Sequence, residues 1–177
     1  MQRLLRKLGP SATDMIRADH TRVMATFHRY TADVRPGKKQ ALARTIAMAL
    51  QVHARIEEEI FYPAMRSAGS TLLEDLEPEH QEMRSLIAQL TGLDPASTQF
   101  DQTFHELMRT VMHHVADEET MLLPHAESVL GERLGELGAQ MMRRRLELMA
   151  PQAMPGGALM LGAGALLAGL LLLRKRA

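Results

Sequence analysis

The sequence predicts an all-α protein, and three observations carry that expectation. Met, Leu and Ala fill the apolar positions, and these residues favour helices over strands. Aromatic residues make up only 3% of the chain, with no Trp. No run of alternating β-branched residues reads as a strand. The length, 177 residues, fits one domain of ordinary size plus an appendage.

Residues 1–10 open with Met1-Gln-Arg-Leu-Leu-Arg-Lys-Leu8, a basic amphipathic stretch. Its apolar run is too short for a secretory signal, so it reads as a frayed turn or two, or as a weak membrane-surface contact. Ser11 with Asp14 resembles a capping box and opens a first helix, which runs to about Val34 and stops at Pro36-Gly37. A second helix is predicted from about Lys38 to Arg66, with Gly69 as its C-terminal cap. Thr71 with Glu74 suggests a third start, covering roughly Leu72 to Leu90, with a re-initiation at Pro78 and an end at Gly92. Asp94-Pro95 reads as the N-cap and first-turn pair of a fourth long helix reaching about Leu130. Residues 11–130 are therefore expected to form the bundle, and 131–157 an amphipathic helix and a Pro/Gly linker.

Ala158 to Leu173 carries no charge and is followed by a basic tail, 174–177. With Gly156 and Gly157 it would span about 27 Å as a helix, against a bilayer core of about 30 Å. Arg174 can snorkel to the headgroups. The expectation is a single C-terminal membrane anchor. Packing on the bundle, or pairing in a homodimer through Gly162, Gly164 and Gly169, is the other reading. Basic clusters on both sides, Arg143 to Arg145 and Arg174 to Arg176, give orientation no clear vote. No signal sequence precedes the bundle, so the bundle is expected in the cytoplasm.

Net charge is zero, so no nucleic-acid partner is expected. The absence of cysteine excludes disulfides, iron–sulfur clusters and thiolate zinc sites. A tightly held metal must use nitrogen and oxygen ligands.

Such ligands occur in a repeat. His53-Ala-Arg-Ile-Glu57-Glu58 and His114-Val-Ala-Asp-Glu118-Glu119 share the pattern His-x-x-x-Glu-Glu-x-x-x-x-Pro, ending at Pro63 and Pro124. Asp19-His20 and Glu79-His80 lie about the same interval apart as those two segments, short of it by a single residue. The chain reads as a duplicated helical hairpin. Residues four apart on a helix share a face, so His and Glu at that spacing can both address one centre. The candidate metal ligands are His20, His53, Glu57, His80, His114 and Glu118. Glu58 and Glu119 are expected to accept hydrogen bonds from ligand imidazoles or to face solvent, with direct ligation as the alternative. Four imidazoles and two carboxylates suit iron, manganese or zinc, and two carboxylates between helix pairs are well placed to bridge two ions. The proline after each Glu removes a helix hydrogen bond and is expected to kink or end the helix.

The remaining histidines carry less. His113-x-x-x-Asp117 also has metal-ligand spacing, but the repeat and Pro124 favour the register of His114 with Glu118. His28, His105 and His125 lie too far along the axis or on the wrong face.

The ordered set His20, His53-x-x-x-Glu57-Glu58, His80 and His114-x-x-x-Glu118-Glu119 resembles the hemerythrin family, in the form known as the HHE cation-binding domain, over roughly Ser11 to Leu130. The resemblance implies an up-down-up-down four-helix bundle with a di-iron centre, manganese or zinc being less favoured. It also implies bridging roles for Glu57 and Glu118 and terminal roles for the histidines. One departure stands out: oxygen-carrying hemerythrins have two histidines a turn apart on the third helix, whereas the positions a turn from His80 are Leu76 and Arg84. The missing imidazole leaves room for water, a carboxylate or another small ligand, and Arg84 could pair with a carboxylate.

The first functional expectation is a module that binds or senses a small diatomic ligand, oxygen or nitric oxide. The alternative is a di-iron enzyme acting on peroxide, nitric oxide or ferrous iron, although no separate acid–base or nucleophile constellation is present. Iron storage or delivery and a purely structural bundle rank below these.

Overall fold

In the computed structural model, which describes residues 9–31 and 33–150 apart from the Asp75 side chain, every regular element is helical. Helix α1, Ala12–Phe27, begins on the expected capping box: Asp14 N–H donates to Ser11 Oγ at 3.1 Å and Ser11 N–H to Asp14 Oδ2 at 3.0 Å. It ends at Phe27, short of Val34. The chain leaves the helix so that Tyr30 can turn inward, stack on Phe104 at 3.7 Å between ring centroids and donate its hydroxyl to Asp101. Burying that ring outweighs further helical turns on the surface. Pro36 does not stop α1. It opens α2, Pro36–Ile56, at a position where a missing N–H costs nothing.

The second rod continues from α2 through a π-helical segment, Glu57–Phe61, into α3, Tyr62–Ser67. Pro63 thus neither ends nor simply kinks it. The wide turn, in which Tyr62 N–H reaches Glu57 O, displaces the carbonyl that a proline ring would strike. Gly69, at φ 83°, then closes the rod. Ser70 N–H bonds Met65 O at 3.1 Å and Gly69 N–H bonds Arg66 O at 2.9 Å, a Schellman pair.

The third rod, α4, runs over Leu73–Gly92 and passes through Pro78 without re-initiating. Its N-cap is Leu72, with no side-chain cap. The fourth rod starts at Ser97, whose Oγ accepts from Phe100 N–H at 3.2 Å. Asp94 instead shapes the preceding turn, taking Ala96 N–H at 2.9 Å. This rod is α5, Thr98–Asp117, a second π segment, Glu118–Leu122, and α6, Leu123–Leu130. Helix α7, Arg133–Met149, follows.

Two apolar clusters fix how the rods run. One holds the start of α1, the end of the second rod, the start of α4 and the end of the fourth rod (Ala12, Ile16, Met65, Leu76, Leu130). The other holds the opposite ends (Phe27, Leu42, Leu90, Phe104). Successive rods therefore run in opposite directions. Leu134, Leu137 and Met141 of α7 belong to the first cluster, so this helix is part of the core and not an appendage. Gly138 is the contact point: a Cβ there would lie 2.3 Å from the carbonyl oxygen of Pro10.

The expected anchor at 158–173 lies outside the described residues. Among those described, no helix is long and apolar enough to cross a membrane.

Candidate metal centre

The six candidate ligands are all buried, Glu57 and Glu118 completely. Among the described residues, the other buried polar ones are Thr13, Lys39 and Thr103. Burying ionisable groups in a bundle core is costly unless they are paired.

The six converge. His20, His53, Glu57 and Glu118 bring ligand atoms within 4.8 Å of one another, and so do Glu57, His80 and His114. Glu57 is common to both groups. Its Oε2 lies 3.3 Å from His53 Nε2 and 3.4 Å from His80 Nε2. Glu118 Oε2 lies 3.1 Å from His20 Nε2 and 3.6 Å from His114 Nε2. Each group thus takes its imidazoles from one half of the repeat.

Every imidazole has a carboxylate on its outer nitrogen. His20 Nδ1 meets Glu119 Oε1 at 2.9 Å, His80 Nδ1 meets Glu58 Oε1 at 3.0 Å, and His114 Nδ1 meets Glu79 Oε2 at 2.8 Å. His53 Nδ1 is 3.5 Å from Asp19 Oδ2, a looser approach because that oxygen also takes the Arg145 guanidinium. In a neutral ring whose Nδ1–H donates outward, as the carboxylates on His20, His80 and His114 favour, the Nε2 lone pair is turned inward, the tautomer a metal requires. Glu58 and Glu119 therefore sit where the sequence expected acceptors. Asp19 and Glu79, noted only as neighbours of His20 and His80, serve the imidazoles of the next rod. Arg84 does pair with a carboxylate, Glu58, at 2.8 Å.

One residue at the centre carried no sequence signal. Tyr62, fully buried, donates its hydroxyl to Glu118 Oε1 at 2.9 Å and stacks on His80 at 5.6 Å. In an uninterrupted α-helix Tyr62 would sit about 140° around from Glu57; the π turn brings both to the same interior. Burial, together with Glu57 and Glu118, holds the Tyr62 phenol well above its ordinary pKa, so it remains a donor.

The charges are poised against each other. Burial and the neighbouring Glu118 push the Glu57 carboxyl up, to about 7. Burial also opposes ionisation of Glu118, but the close approach of His20 and the charge of the surrounding imidazoles hold it down. His20 loses basicity to burial and regains more from Glu118 and Glu119, reaching about 9. Burial lowers His80. Positive charge is thus favoured at His20 and disfavoured at His80.

The donor set fits a pair of cations. His20 Nε2, His53 Nε2, both Glu57 oxygens and Glu118 Oε2 are buried without a hydrogen-bond partner, a cost that coordination would remove. His28, exposed, bonds Met24 O at 2.8 Å, and His105 packs edge-on against Tyr30; neither they nor His125 joins either buried group.

The hemerythrin HHE cation binding domain family matches residues 11–126. This chain belongs to that family. It is a hemerythrin-type cation-binding domain, and it carries buried His/Glu groups that could hold a metal ion. A DNA nickase of Nostoc sp. is 34% identical over 110 residues, 62% of this chain and 31% of that one, so the chain spans about a third of that relative's length. The protein Rv2633c of Mycobacterium tuberculosis is 26% identical over 138 residues, 76% of this chain and 84% of its own. A crystal structure of a hemerythrin HHE cation binding domain-containing protein from Mycobacterium kansasii, an Rv2633c homolog, superposes with a TM-score of 0.68 at 20% identity. The superposition covers 78% of this chain and 87% of that one, a likeness of fold.

Proposed function

We propose that this hemerythrin-type domain holds a non-haem di-iron centre and binds or senses a small diatomic ligand, oxygen or nitric oxide. The observation that carries the reading is the set of orphaned, buried donor atoms on His20, His53, Glu57 and Glu118, from three rods, with His80 of the remaining rod and His114 grouped around the same Glu57. His20, His53, Glu57 and Glu118 would hold one ion, and His80, His114 and Glu57 the other. Bound iron would supply open coordination and a reversible redox couple. The chain's own residues orient the imidazoles, exclude bulk water and keep a phenolic proton on Glu118.

Size favours a small ligand. The cavity that touches His80, lined by Leu50, Ala54, Met83 and Ile87 with Arg84 at its edge, has about 10 Å³ of free space, the scale of one water. The larger concavities open on the outside of the bundle and reach no candidate ligand, although two of them are lined by Asp19 and Glu58, the carboxylates beside His53 and His80. The test is anaerobic purification, ferrous loading, metal quantification and optical spectra before and after each gas. A new charge-transfer band is expected, and its absence with both gases would overturn the proposal.

Tyr62 favours a second reading, an enzyme acting on peroxide, nitric oxide or ferrous iron, because its buried hydroxyl places a fixed hydrogen-bond donor beside the centre where charge would develop. Turnover assays with each substrate separate the two, since stoichiometric binding without turnover rejects the enzyme.

A further inference from the structure

We propose that Glu79, His113 and Asp117 form a second, solvent-facing cation site for a divalent ion such as Zn2+, separate from the buried pair. Ligand atoms of the three lie within 4.8 Å of one another. His113 Nδ1 is 3.0 Å from Glu79 Oε1 and 3.3 Å from Asp117 Oδ2. His113 and Asp117 are one turn apart on α5, and Glu79 reaches them from α4. One imidazole with two carboxylates is a nitrogen–oxygen donor set suited to zinc. The His113 side chain is 68% exposed, so an ion has direct access.

The two halves of the repeat differ at this point. The residues equivalent to His113 and Asp117 in the first half are Val52 and Ile56. There Asp19, which serves His53, has its charge met by Arg145 from α7. In the second half Glu79, which serves His114, is met on its outer oxygen by His113, beside a further carboxylate, Asp117. The imidazole faces two carboxylates, and a divalent ion held between the three would balance both negative charges. Glu79 Oε2 can meanwhile stay on His114 Nδ1, so one carboxylate joins the outer ion to the buried centre. The assignment does not depend on which metal fills the buried pair.

The experiment titrates Zn2+ calorimetrically into the full chain with its buried positions already filled, and counts zinc and resident metal after gel filtration. Wild type is expected to take up one zinc equivalent beyond the buried pair. His113→Ala and Asp117→Asn should each weaken that uptake at least about tenfold while leaving the resident metal unchanged. His113 is a surface residue, and Asp117→Asn preserves shape, so both variants should fold. No saturable extra zinc in wild type, or equal uptake by the variants, would overturn the site.

Discussion

Tyr62 donates its hydroxyl to Glu118 Oε1 at 2.9 Å, and the position equivalent to Tyr62 in the other half of the repeat is Leu123. The two central carboxylates are therefore unlike. Glu57 keeps both oxygens unpaired, whereas Glu118 has one oxygen occupied by a phenol. Tyr62→Phe keeps the stacked ring and strands Glu118 Oε1. The metal-free variant should lose about 1–3 kcal/mol of stability in urea unfolding. An unchanged midpoint would show that the hydrogen bond contributes nothing.

The sharing of Glu57 between the two donor groups predicts a graded metal content. His80→Ala or His114→Ala should reduce the bound metal from a pair towards a single ion. Glu57→Ala should empty both positions. Metal analysis beside circular dichroism reads this out. Full metal content in a folded Glu57→Ala protein would remove the bridging role.

The metal-free protein should lose stability as pH rises from about 6.5 to about 9. His20 is more basic in the folded chain, at about 9, than its ordinary value of 6.5. The native state therefore binds the extra proton in this window. Its stabilisation is fully present below 6.5 and gone above 9, a change on the order of a few kcal/mol. Metal uptake must expel that proton, so affinity should rise with pH over the same range. Melting temperatures of metal-free and loaded protein across this range test both statements; parallel profiles would contradict them.

Gly138→Ala should destabilise the fold by about 1–3 kcal/mol, because the new Cβ would meet Pro10 O at 2.3 Å and Ser11 C at 2.8 Å, both backbone atoms. Gly37→Ala, with nothing within 4 Å, is the control and should be neutral or stabilising. Equal midpoints for the two variants would mean that α7 is not docked where Gly138 puts it.

Periodic and local signals were legible in the sequence. The Ser11 capping box spans one turn, and the His-x-x-x-Glu spacing puts both side chains on one face, so the capping box and the convergence of the six side chains followed from residues alone. Tertiary effects were not legible. The early end of α1 depends on Phe104 and Asp101, more than 70 residues downstream of Tyr30. The π segments depend on how each rod absorbs its proline, and Tyr62 reaches the centre only because of one. The Asp94-Pro95 pair looked like a cap because Ser97, two residues on, competes with equal chemistry. Asp19 and Glu79 were visible as neighbours of histidines, but their partners lie on other helices.

The outer carboxylates cross between the halves of the repeat: Glu58 serves His80, and Glu119 serves His20. Neither hairpin can aim all of its own imidazoles. A lone hairpin bearing this motif would need a second copy docked antiparallel to complete even one coordination sphere. Separating the halves at the loop before Leu73 should therefore cost the donor geometry as a whole, with each fragment blind to metal until its complement returns.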